Sequence, residues 1–149
     1  MSRLIAGRTW RDVILAAFTV QWLTLGLWAV LFPRSFYDSF PGAGRQWVSV
    51  DGPFNEHLLR DVGGLFTALG VLAGFALWRG GAGLVRGTGL AIAVFSVPHV
   101  LYHAFNTEPL ETTADAVASV GGLFFGLVIA LALVVSPAPA TDAATADRV

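Results

Sequence analysis

His99 and His103 lie four residues apart in an apolar segment, a spacing that puts both imidazoles on one face of a helix. Such a pair can hold one ion. His57, the remaining histidine of the chain, precedes a second apolar segment by a few residues. If that segment and the one carrying His99 and His103 run in opposite directions through a bilayer, all three imidazoles reach the same boundary. Asp61 follows His57 by four residues on the same helical face, with Arg60 on its flank and Glu56 just before. Ser96, His99, His103 and Asn106 form a stripe at i, i+3, i+7 and i+10. Asp115 opens the last apolar segment at the same level.

Several chemistries are open to this set. Three imidazoles, with a carboxylate from Asp61, Glu56 or Asp115, suit zinc, copper or non-haem iron. Two histidines from different helices, His57 with His99 or His103, suit non-covalent haem, with Arg60 near a propionate. A relay of protons or a small solute through His99, His103 and Asp61 is a further use, because ionisable groups within a membrane tend to face the interior and to be functional. The structural alternative is that Arg60 with Asp115 or Asp61 ties helices together and the histidines satisfy backbone freed by Pro98. No nucleophile motif, phosphate loop or lysine is present, so nothing points to other catalysis.

The elements that must position these residues are legible from hydropathy. More than half of the 149 residues are hydrophobic, 13% are charged, and the charges gather between four apolar runs. Roughly 20 helical residues cross a hydrocarbon core of ~30 Å, and each run has about that length. The runs show no alternation of period two, so the expectation is an all-α polytopic membrane protein, an up-down bundle of four transmembrane helices. The four-helix domain spans residues 1–136, with helices at about 13–32, 55–79, 84–105 and 114–135. Residues 33–54, rich in aromatics, form an interfacial loop. Residues 137–149 read as a disordered cytoplasmic tail. The first run is too long for a cleaved leader and lacks a small-x-small site, so it reads as a retained helix.

Arg3, Arg8, Arg11, Arg79 and Arg86 flank the same helix ends, and the loop before the last helix carries only acidic groups. The positive-inside rule therefore puts both termini in the cytoplasm of a bacterial-type plasma (inner) membrane and the histidines outside. Net charge is −1, which gives nucleic acid no electrostatic footing. With no cysteine, thiol chemistry and disulfides are excluded.

Small residues at helical spacing predict close helix contacts: Gly63, Thr67, Gly70 and Gly74 in the second helix, Gly83 and Gly87 in the third, Ser119, Gly122 and Gly126 in the fourth. One of these faces is also open to a homodimer or a partner membrane protein. Gln21 and Thr24 are expected to contact other helices.

The segment Asn55-Glu56-His57-Leu58-Leu59-Arg60-Asp61-Val62-Gly63-Gly64, the loop after the first helix and the helix count resemble the small four-helix bacterial membrane proteins grouped as DoxX-like. The resemblance implies the four-helix fold and a link to quinone- or thiol-related redox processes. A thiol route here needs a partner's cysteine.

Overall fold

The computed structural model describes residues 9–110 and 112–137. Glu111 and residues 1–8 and 138–149 lie outside it, and with them Arg3, Arg8 and nearly all of the expected tail. Five helices carry the described chain: α1 (Trp10–Leu31), α2 (Pro33–Ser39), α3 (Glu56–Arg79), α4 (Ala82–Phe105) and α5 (Thr113–Val134). The four long ones are long and apolar enough to cross a membrane. Their ends fall within three residues of the expected ones.

Each start has a local cause. The Asp12 carboxylate accepts the Thr9 backbone N–H at 2.8 Å, one half of a capping box. The Asn55 side chain accepts from the Leu58 N–H at 3.1 Å, so Asn55 caps α3. The Thr112 hydroxyl does the same for Asp115 at α5. Between α3 and α4, Gly80 and Gly81 take φ of 68° and 91°, and this left-handed pair turns the chain back in two residues.

Helix α1 packs on α3, and α4 on α5. The first contact follows the predicted glycine face. A Cβ on Gly26 would lie 2.5 Å from the Thr67 backbone nitrogen, and one on Gly70 would lie 2.8 Å from that of Leu23. Gly74 faces Thr19, so pairs run from 26 with 67 to 19 with 74 and the helices are antiparallel. Four other glycine expectations are corrected. Gly83, Gly87, Gly122 and Gly126 meet nothing within 4 Å, and the α4–α5 approach rests instead on Gly89, which sits against Ala130 and Leu133. Gln21 and Thr24 are likewise exposed rather than held between helices.

Trp22, Phe66 and Phe95 join the two helix pairs, with ring centroids 4.9–5.4 Å apart. At one end of the molecule, the Arg86 guanidinium donates to the Ser136 carbonyl at 2.8 and 3.0 Å, closing the carbonyl end of α5. Helix α4 continues through Pro98, leaving the Val94 carbonyl on an exposed face.

The expected interfacial loop is ordered. Helix α2 is followed by a two-stranded antiparallel ribbon, β1 (Pro41–Gly42) and β2 (Arg45–Gln46), a small departure from an all-helical chain. Its turn, Ala43-Gly44, has φ of 56° and 78°, as a type I′ hairpin requires.

Candidate functional site

The ribbon is fastened to α5 by Asp115. This carboxylate is buried, accepts from Arg45 and from the Trp47 indole N–H (3.0 Å), and receives the Thr112 hydroxyl at 2.6 Å. Helix α2 is held below by Phe36, which is buried against Ala29 and Leu59. The Trp28 indole donates to Ser35 at 3.1 Å. Tyr37 secures the rest of the segment, donating to the Gly52 carbonyl at 2.5 Å. The segment therefore lies as a fixed cap over the helix ends.

Beneath the cap, between the two helix pairs, is a cavity of about 350 Å³. Its walls are aromatic and aliphatic: Trp22, Phe36, Phe40, Trp47, Phe66 and Phe95, with Leu59 and Val62 of α3 and Leu123 of α5. Polar groups enter at His99, His103, Asp51 and Ser119. A volume of a few hundred Å³ with apolar walls and a few convergent polar groups is typical of a small-molecule site, for which roughly 300–1,000 Å³ is usual.

Phe95, His99 and His103 form a ladder up the face of α4. The His99 ring lies 5.2 Å from Phe95 and 4.9 Å from His103, and Tyr102 stands edge-on to His103 at 5.3 Å. Both imidazoles are half-buried, and neither makes a hydrogen bond within the described residues. A neutral imidazole offers one donor and one acceptor, so this wall presents two of each. Asp51 reaches the same end from the loop. Partial burial raises the pKa of its carboxyl from the ordinary value, and a positive charge on His103 acts the other way.

The structure divides the residues singled out from the sequence. His99 and His103 come together as expected. His57 does not join them: its side chain is 88% exposed and pairs at 3.4 Å with Asp61, itself 63% exposed. Glu56 pairs with Arg60 at 2.7 Å, and Arg60 also donates to the Val30 carbonyl. Arg60 thus ties α3 to α1, and Asp115, one partner for Arg60 in the structural alternative, pairs with Arg45. Asn106 donates to the Tyr102 carbonyl at 2.8 Å and finishes α4.

Among the described residues, no three His, Cys, Asp or Glu side chains gather closely enough to hold a metal ion. The haem arrangement with His57 as one axial ligand is likewise not assembled, since His57 points to the exterior of α3 while His99 and His103 share one wall of α4.

The sequence reading missed the cavity walls. Trp22, Phe66 and Phe95 sit in helices with apolar residues on every face, so no periodicity marks them as lining a space. Trp47 and Arg45 stood out only as loop residues, and their partner lies about 70 residues away. No protein-family model matches the chain, and neither does any curated protein or solved structure.

Proposed function

We propose that this chain is an up-down bundle of four transmembrane helices that binds an apolar small molecule bearing one or two hydrogen-bonding oxygens. The ligand lies in the cavity beneath the loop cap, its body among the aromatic walls and its oxygen against His99 and His103. The observation that carries this reading is the pair of unbonded imidazoles at the polar end of an otherwise apolar cavity. Buried polar groups ordinarily have partners, and two imidazoles without one are matched by a ligand that supplies them.

The membrane placement has its own support. The most apolar helix, α5, is also the least buried, the reverse of a helix in a water-soluble bundle. Trp10 and Trp78, both exposed, mark one end as interfacial anchors. The cavity then lies in the extracytoplasmic half, with both termini in the cytoplasm.

Benzophenone, an aryl ketone that crosslinks under light, is a direct probe of the cavity. In nanodiscs, labelling read by peptide mass spectrometry is expected to concentrate on Leu59, Val62 and Leu123. His99→Leu should reduce it about fivefold, the equivalent of one neutral hydrogen bond. Even labelling of lipid-facing residues such as Phe125 and Val128, unchanged by His99→Leu, would overturn the binding reading.

A further inference from the structure

Gln21 is the middle residue of α1, ten or eleven residues from either end. At 1.5 Å per residue it lies about 15 Å from each end, well beyond what its side chain can reach. The buried face of α1 is Leu15, Phe18, Trp22, Gly26 and Ala29. Gln21 is off that face, about 100° round the helix from Trp22; it is exposed, and its carboxamide makes no hydrogen bond within the described residues. Thr19 and Thr67, at similar depth, both bond a carbonyl one turn back, at 2.7 and 2.8 Å. Gln21 differs from them in having no such partner.

An amide carries two donors and an acceptor and cannot shed its polarity by titrating. In hydrocarbon, leaving it unpaired costs several kcal/mol. We infer that the partner is a second copy of this chain, docked along α1 so that Gln21 meets Gln21.

Copies inserted in one orientation are related by a twofold axis along the membrane normal, and such an axis places identical residues opposite each other. An amide is self-complementary under that symmetry, each donating to and accepting from the other. Ala17 and Thr24, one turn to either side on the same exposed face, are small enough for the backbones to approach. The spacing 17, 21, 24 is the four-then-three step of a left-handed helix pair. The exposed side of α5 offers no comparable group: Val117, Phe124 and Phe125 lie there and lipid covers them without cost, while Ser119 and Gly122 face the cavity. This inference rests on the reading that α1 crosses a bilayer, and it is independent of the cavity's ligand.

The absence of native cysteine allows a clean test. Thr24→Cys and, as control, Phe125→Cys are reconstituted separately in proteoliposomes at low protein density and oxidised. Thr24→Cys should give crosslinked dimer and Phe125→Cys should not. Adding Gln21→Leu to Thr24→Cys should lower the crosslinked fraction about fivefold, within the range for an interhelical polar contact in lipid. The melting temperature of Gln21→Leu monomer in detergent should stay unchanged, because Gln21 bonds nothing in its own chain. Equal crosslinking at 24 and 125, or dimer that survives Gln21→Leu, would sink the proposal. Extraction of the protein by alkaline carbonate would instead remove the membrane reading beneath it.

Discussion

Asp115 does not line the cavity, yet it holds the cap that covers it. One oxygen accepts from Arg45 and Trp47, and the other from Thr112, so a single buried carboxylate fixes the ribbon to α5. Asp115→Ala removes the shared acceptor of all three donors and with it the tie between the ribbon and α5. We expect a lower melting temperature and faster tryptic cleavage after Arg45. His57→Ala is the contrast: its pair with Asp61 is mostly in solvent, where such pairs contribute ~0–1 kcal/mol, and the melting temperature should barely move. The sequence marked both residues as polar groups near a helix start. Which of the two is a keystone depends on an arginine 70 positions away, and no local pattern carries that information.

At the scale of elements, hydropathy located the long helices, because each carries a long apolar run and their ends are set by short-range capping. Pairing was only half legible. A hydroxyl residue and two glycines at i, i+3 and i+7, as in Thr67, Gly70 and Gly74, mark a helix face that permits close approach, yet on α5 the glycines of the same pattern, Gly122 and Gly126, meet nothing within 4 Å. Spacing shows what a helix allows, and a facing helix decides whether the allowance is used. Gly26→Ala and Gly126→Ala separate the two situations. At Gly26 the new methyl lands 2.5 Å from backbone that cannot swing aside, and overpacking of this kind costs about 1–3 kcal/mol. At Gly126 it meets nothing within 4 Å, while alanine is the better helix former by up to ~1 kcal/mol. Thermal unfolding in detergent should show a clear loss for Gly26→Ala and none, or a small gain, for Gly126→Ala. Equal losses would mean that α1 and α3 do not approach through these glycines.

At the scale of the whole molecule, the two ends of the helices differ in how their arginines are used. At the ribbon end, Arg34, Arg45 and Arg60 each pair with a carboxylate, Asp38, Asp115 and Glu56 in turn. At the other end the arginines bind carbonyls or stack: Arg11 donates to Pro137, Arg86 to Ser136, and Arg79 lies 5.7 Å from the Trp78 ring. They pair with no carboxylate within the described residues, and arginines in short segments beside helix ends are what the positive-inside rule counts. The sequence count of arginines pointed the same way, but it could not show that the loop's arginines are spent on carboxylates. Single cysteines in the otherwise cysteine-free chain read the orientation directly. Gln46→Cys lies on the exposed ribbon, and Gly83→Cys lies in open space at the start of α4. In intact cells, a membrane-impermeant maleimide should label position 46 and reach position 83 only after permeabilisation. The reverse pattern would invert the orientation and move the histidine cavity to the cytoplasmic half. Labelling of both in intact cells would mean that α3 does not separate two compartments.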